Sequence, residues 1–147
     1  MELMKMNLTK AKTYAAVKHS GQKDDDGNDY YMYHLLPVCE AISKLTNTEE
    51  VQMAAVLHDV IEDTDCTYDE LKKEFGEKVA NLVMEVTHEG QKDSYGYYFP
   101  RLKSAEGIMI KMIDRASNLT RMGSWHPDRQ KQYLRKSKFW RTKGRSS

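Results

Sequence analysis

The chain has little cysteine, little proline and no surplus of charge of one sign. There are two cysteines and three prolines in 147 residues. Cys39 lies inside a helical apolar pattern, and both Cys39 and Cys66 read as reduced thiols rather than as a disulfide or a zinc pair. No apolar run approaches the roughly 18 residues that a transmembrane helix needs. The first dozen residues are polar and interrupted by lysines, unlike a signal peptide. These absences point to the cytoplasm and away from a membrane. The formal net charge is +1, with 31% charged residues well mixed along the chain. No global field therefore draws the protein to nucleic acid or lipid. No internal repeat or low-complexity linker divides the sequence, and no window alternates apolar and polar residues with period two, which excludes a half-buried sheet. The reading that remains is all-α. One domain over residues 1–147 holds six to eight helices, and 39% hydrophobic residues supply one core.

The helices can be placed from their punctuation. Thr9 could cap a first helix with Ala11, Tyr14, Ala15 and Val17 inward, ending at Lys18-His19-Ser20-Gly21 with Gly21 past its end. A polar loop with three successive aspartates follows. A second helix runs from about Tyr31 to Leu45, with Leu35, Val38, Cys39 and Ile42 on one side and His34 near its start. Asn47 and Glu50 fit a capping box for a third helix, and Thr67 and Glu70 fit another for a short helix that Gly76 ends. Val79, Leu82, Val83 and Val86 mark the next. The Tyr- and Gly-rich stretch around Tyr95, Tyr97, Tyr98 and Phe99 reads as a loop or loose helix start, its rings used for packing. A long helix from about Arg101 to Met122 carries Ile108, Met109, Met112, Ile113, Ala116 and Leu119 inward. Pro127 begins a last helix containing Tyr133 and Leu134. From Arg135 onward there are six basic residues and no acid, which reads as a frayed, solvated tail.

The chain is organised around Ala54-Ala55-Val56-Leu57-His58-Asp59-Val60-Ile61-Glu62-Asp63. Read as one helix, it places Ala54, Leu57 and Ile61 on an apolar stripe. His58 and Glu62 are four apart, as are Asp59 and Asp63, so they are neighbours on the helix surface. An apolar run that drives such a helix into a core carries charged groups with it, and buried charges require a partner or a metal. His34 starts one core helix, His58 and Asp59 lie on a second, and Asp114 interrupts the apolar side of a third. Two imidazoles and two carboxylates suit a borderline or hard divalent ion, Mn²⁺, Fe²⁺, Co²⁺, Mg²⁺ or Zn²⁺. Four protein donors leave open positions, as catalytic sites do.

The order His34, then His58-Asp59, then Asp114 resembles the H…HD…D signature of HD-superfamily phosphohydrolases. More specifically, the chain is similar to the hydrolase domain of RelA/SpoT-type alarmone enzymes and their small stand-alone relatives. The matching phrases are Lys18-His19-Ser20-Gly21-Gln22, Tyr31-Met32-Tyr33-His34, His-Asp-x-x-Glu-Asp-Thr ending at Thr64, Phe75-Gly76, Val79-Ala80, Val86-Thr87, and Lys111-x-x-Asp114-Arg115-x-x-Asn118. They fall in order over about residues 10 to 122. The resemblance implies an all-α, Mn²⁺-dependent hydrolase that removes the 3′-pyrophosphate of guanosine tetra- or pentaphosphate. It implies His34, His58, Asp59 and Asp114 as the ligands of one divalent ion. Glu62 and Asp63 would orient or deprotonate the attacking, ion-activated water, and Asn118 would contact the substrate. Lys111 and Arg115 are candidates to clamp pyrophosphate. The sequence departs from that pattern in two places. Lys23 is the only basic candidate where the family has a basic pair with a base-stacking arginine, and Tyr30 stands where the family has proline.

The expected partner is thus a small nucleotide, with no membrane and no nucleic acid. Two other readings compete: a nucleotide or deoxynucleotide phosphohydrolase with the same chemistry, motivated by the altered loop, and a non-catalytic nucleotide-binding module. Cys39 lies in an apolar stripe and no serine or threonine is placed beside a histidine in a sequence context that serves a nucleophile, so attack by water without a covalent intermediate is expected.

Overall fold

A computed structural model describes residues 2–24, 26–87, 102–121 and 127–136. The tyrosine-rich segment and the tail beyond residue 136 lie outside the described residues. Among the described residues eight α-helices follow one another: α1 (Glu2–Lys18), α2 (Leu36–Leu45), α3 (Glu49–Val56), α4 (Val60–Asp63), α5 (Tyr68–Phe75), α6 (Glu77–Val86), α7 (Ala105–Arg121) and α8 (Pro127–Lys136). One π-helical turn, Tyr31–Leu35, leads directly into α2. The described residues contain no strand, only an isolated bridge between Lys23 and Asp29. The all-α reading therefore holds. No described helix is long and apolar enough to cross a membrane.

Helix α3 is the centre of the packing and lies against α1, α2 and α6, while α7 lies against α2 and α6. Its residues Val51, Met53, Ala54, Ala55 and Val56 are all buried, and the two alanines are fully enclosed. Small side chains there let three neighbouring helices approach closely. Around them stand Val38, Cys39, Ile42, Leu57, Leu71, Val79, Val83 and Ile110. Each large aliphatic side chain so enclosed contributes about 1.5–3 kcal/mol.

Several boundaries differ from the sequence expectation. Helix α1 begins at Glu2 rather than at a Thr9 cap, because the Glu, Leu, Met and Lys residues before Thr9 are good helix formers. Val17 is 67% exposed, not inward. Past the end of α1, Gly21 takes a φ of +84°, the left-handed conformation expected of a residue there. Helix α3 is entered through Thr48, not through an Asn47 cap. The Thr46 hydroxyl accepts the Thr48 N–H at 3.1 Å and fixes that turn instead. Of the second capping box only half forms. Thr67 Oγ1 accepts the Glu70 N–H, but the Glu70 carboxylate takes Tyr14 Oη at 2.7 Å rather than turning back. Leu134 of α8 is exposed.

The largest difference is the rotation of α7. Ile108 and Met112 are 42% and 54% exposed, and Ala116 is exposed as well. The face turned inward holds Gly107, Ile110, Lys111, Asp114 and Arg115. This helix buries its charged side, because the groups that receive those charges lie beneath it.

Candidate metal centre

The stretch from Ala54 to Asp63 is not one helix. Leu57 (φ −97°, ψ 3°) and Asp59 (φ −103°, ψ 2°) leave the helical conformation between α3 and α4. They occupy the sparsely populated bridge region, where active-site residues are often found. His58 stabilises this break. Its Nδ1 lies 2.6 Å from the Ala55 carbonyl oxygen, which can only accept, so Nδ1 carries the proton and Nε2 is left with a lone pair. In a continuous helix that carbonyl would take the N–H of Asp59. Breaking the helix brings the adjacent residues His58 and Asp59 to the same buried spot, which two successive positions of a helix do not reach.

His34 arrives from the π-helical turn. Asp29 sets that turn: its Oδ2 accepts the Met32 N–H at 3.0 Å. The His34 ring is fully buried. Its Nδ1 lies 3.1 Å from Ser117 Oγ and its Nε2 lies 3.2 Å from His58 Nε2. Asp114 comes from the buried face of α7. Its Oδ1 is 3.0 Å from His34 Nε2 and 3.3 Å from His58 Nε2. Asp59 Oδ2 is 3.2 Å from His58 Nε2 and 3.5 Å from His34 Nε2. One donor atom from each of the four residues lies within 4.8 Å of the others.

This arrangement fits a divalent cation. Ion–donor bonds of about 2.0–2.2 Å place neighbouring donors about 3.0–3.5 Å apart. Two imidazole lone pairs and two carboxylate oxygens directed at one point repel one another without a positive charge between them. Without an ion a proton takes that part. Burial opposes charge on His58, but the Asp59 and Asp114 carboxylates outweigh it and hold its pKa well above the ordinary value. Burial likewise opposes charge on Asp59 and Asp114, and the imidazoles outweigh it, holding both carboxyls well below their ordinary value.

The other sequence candidates are placed unequally. Glu62 and Asp63 lie on α4, immediately after the cluster, and both are exposed. Gln22 Nε2 donates to Asp63 Oδ2 at 3.2 Å, and Gln22 Oε1 lies 2.7 Å from His19 Nδ1. Partial desolvation by the neighbouring chain, then the Asp59 carboxylate, pushes the Asp63 carboxyl up. Lys111 is 2% exposed. Its ammonium donates to the Val86 carbonyl at 3.3 Å and lies 3.5 Å from Asp114 Oδ2. Arg115 is buried beside it, and Asn118, one turn beyond Asp114, is half-buried. Lys23 is exposed on the loop after α1.

Sequence reasoning passed over four groups. Ser117 stands against His34, the Ala55 carbonyl against His58, and His19 behind Gln22. Tyr30, noticed only as a departure, donates its hydroxyl to Asp59 Oδ2 at 2.6 Å. Burial, then the Asp59 carboxylate, raises the pKa of Tyr30 and keeps its phenol protonated as the donor. The first two had a faint signal in spacing: Ala55 precedes His58 by three, and Ser117 follows Asp114 by three.

A helical bundle that gathers a histidine, a His-Asp doublet and a distant aspartate around one buried point has the architecture of an HD domain. Residues 11–138 match the HD domain family, and the chain belongs to it. It is 33% identical over 138 residues to the guanosine-3′,5′-bis(diphosphate) 3′-pyrophosphohydrolase of Aquifex aeolicus, covering 88% of this chain and 20% of that protein. It is 31% identical over 141 residues to the bifunctional (p)ppGpp synthase/hydrolase SpoT of Escherichia coli K12, again 88% of this chain and 20% of that one. The chain thus spans about a fifth of these longer bacterial relatives. Against the guanosine-3′,5′-bis(diphosphate) 3′-pyrophosphohydrolase MESH1 of Drosophila melanogaster it is 32% identical over 134 residues, 82% of this chain and 75% of that protein. Among solved structures, a metazoan ortholog of SpoT described as hydrolysing ppGpp superposes with a TM-score of 0.75 at 30% identity, over 90% of this chain and 82% of that one.

Proposed function

We propose that this chain is a metal-dependent guanosine 3′,5′-bis(diphosphate) 3′-pyrophosphohydrolase, working in the cytoplasm on a small nucleotide. The observation that carries the proposal is the buried convergence of His34, His58, Asp59 and Asp114. Its likeness to relatives named for this activity supports the substrate class. In this reading the four residues hold one divalent ion, Mn²⁺. Such an ion lowers the pKa of a water and offsets phosphate charge.

The protein's own groups complete the chemistry. Asp63, oriented by Gln22, and Glu62 stand at the rim and accept the proton of the attacking water. Lys111 acts on Asp114 rather than on pyrophosphate, since its ammonium is buried against that carboxylate and the Val86 carbonyl. Arg115 shares that buried face. In this reading Asn118, one turn beyond Asp114, contacts the substrate, and Lys23 serves the base or outer phosphate.

Water attacks the phosphorus bonded to O3′, the carboxylates take its proton, the P–O3′ bond breaks and the departing ribose oxygen takes up a proton as the 3′-hydroxyl, so guanosine tetraphosphate yields pyrophosphate and guanosine diphosphate. Neither cysteine competes as nucleophile. Both are buried, Cys39 Sγ donates to the Gln52 carbonyl, and burial raises both thiol pKa values. Ser117 does stand beside a histidine. With His34 Nε2 facing the other donors, however, its Nδ1–H donates to Ser117 Oγ and leaves no base for that hydroxyl.

A second reading, a nucleotidase of the same chemistry, is favoured by the loop after α1. There Asp24 turns inward to accept the N–H groups of Asp26 and Asn28, and Lys23 is the only basic residue from Gly21 to Asp29. A single turnover in ¹⁸O-water with Mn²⁺ tests both readings. Label in released pyrophosphate supports the proposal. Label in inorganic phosphate from a nucleoside monophosphate, with none in pyrophosphate, transfers the chain to the second reading. Retention of configuration at an isotopically chiral 3′-phosphorus, in place of the inversion that direct attack gives, means an enzyme-bound phosphoryl group, with Ser117 the first residue to examine, and ends the direct-attack mechanism.

A further inference from the structure

Tyr30 touches two of the four converging donors and has no part in the chemistry above. Its hydroxyl donates to Asp59 Oδ2 at 2.6 Å. That is the same oxygen that faces His58 Nε2 at 3.2 Å and His34 Nε2 at 3.5 Å. Its ring lies against the His34 ring, centroids 5.1 Å apart, and against the His19 ring at 5.7 Å. The backbone fixes where the side chain stands. The Tyr30 N–H donates to the Gln22 carbonyl at 3.0 Å, and Lys23 pairs with Asp29 immediately before it. Tyr30 is therefore anchored to the end of α1 while its phenol reaches the centre.

Asp59 needs such a partner. It sits in the break between α3 and α4, and no side-chain cap hydrogen bond to the following helix steadies its carboxylate. A carboxylate oxygen has two lone-pair directions. With one occupied by the Tyr30 hydroxyl, Oδ2 presents the other to the cluster, and rotation of the carboxylate breaks a charge-assisted hydrogen bond. Groups that orient metal donors in this way change ion affinity by about 10–100-fold when they are removed.

We propose that Tyr30 is a positioning residue of the metal centre, holding Asp59 to one-oxygen ligation and His34 in its ring orientation. The proposal rests on the metal-dependent reading of the site. A purely structural tyrosine would lower the stability of the ion-free protein when changed, yet leave the ion affinity of the folded molecules as it was.

The test uses the full chain with Mn²⁺ and Co²⁺ as probes, comparing wild type with Tyr30→Phe. Calorimetric titration should show Mn²⁺ binding about 10–100-fold weaker in the variant. The visible absorption bands of the Co²⁺ form should change in position or intensity as Asp59 gains freedom to use both oxygens. Tyr30→Trp, which keeps a ring against His34 and removes the hydroxyl, is the second variant should the first fail to fold, and it should show the same loss. Unchanged Mn²⁺ affinity with superimposable Co²⁺ bands in a folded variant overturns the proposal, as does a wild-type protein that binds neither ion. Wild type that binds Mn²⁺ but does not cleave guanosine tetraphosphate removes the substrate assignment alone, and the Tyr30 comparison is still read from the titration.

Discussion

Lys111 offers the sharpest separation between a substrate clamp and a group that acts through its neighbour. Its ammonium is enclosed between the Val86 carbonyl at 3.3 Å and Asp114 Oδ2 at 3.5 Å. Lys111→Met keeps the apolar stem and removes the charge. Breaking one side of a buried ion pair costs about 3–5 kcal/mol. Asp114 retains His34 and His58 as partners on Oδ1, so the lower end, about 3 kcal/mol, is expected. For a chain of this size that corresponds to a melting temperature lower by about 6–12 °C. The pH dependence supplies an independent reading. Burial, only partly offset by Asp114, lowers the Lys111 pKa below its ordinary 10.5. The folded state therefore releases this proton before the unfolded chain does. Wild type should gain stability as pH rises from the lowered folded value to 10.5, and Lys111→Met should lack that gain. Denaturant unfolding followed by tryptophan fluorescence, repeated across the alkaline range, measures both effects. A variant with unchanged melting temperature, unchanged ion affinity and a raised KM for guanosine tetraphosphate would make Lys111 a pyrophosphate clamp and refute this reasoning.

Asp59→Ala and His58→Ala should lose the bound divalent ion and all turnover, and chelation should lower the melting temperature of wild type; a stoichiometric ion with full activity in Asp59→Ala would sink the ligand assignment. Because the ion-free His58 pKa lies well above the ordinary 6.5, Mn²⁺ binding near pH 7 should release a proton and tighten as pH rises, detectable by calorimetry in buffers of different ionisation enthalpy. In the ion-free protein that same shift supplies stability present below 6.5 and lost as pH rises through the raised value, whereas Asp59 and Asp114 supply stability present above 3.8 and lost as pH falls through their lowered values. Glu62→Gln should keep the ion and lose turnover by about 10²–10⁴-fold; loss of the ion instead would make Glu62 a ligand. Gly107→Ala should displace the Glu85 carboxylate, which accepts from the backbone N–H groups of Lys103 and Ser104 ahead of α7; losing that cap costs about 0.5–2 kcal/mol, offset by about 0.5–1 kcal/mol for alanine over glycine in a helix, so a net loss of at most about 1 kcal/mol is expected. Unchanged thermal stability in that variant would mean the carboxylate moves aside without loss.

The residue order alone carried the fold class and the four converging side chains. Helical periodicity across the π-helical turn and α2, and in α6, made Leu35, Val38, Cys39, Ile42, Val79, Leu82, Val83 and Val86 legible as core, and all eight are buried. Those elements are amphipathic, and burial of their apolar face decides their orientation. The order His34, His58-Asp59, Asp114 was legible because few side-chain types serve a divalent ion. Other features required the tertiary structure. A helical pattern from Ala54 to Asp63 concealed the break at Leu57 and Asp59, which depends on the His58 imidazole taking the Ala55 carbonyl. In α7 hydrophobicity was only a partial guide, since Met109 and Ile113 pack against the core as expected. Ile108 and Met112 face outward, while Lys111, Asp114 and Arg115 are enclosed, because a fixed set of opposite charges outweighs an apolar stripe in setting that helix's rotation. Tyr30, Gln22 and Ser117 belong to the same class. Each acts on a residue far along the chain or in another element, and a hydrogen bond to Asp59, Asp63 or His34 leaves no periodicity in sequence to reveal it.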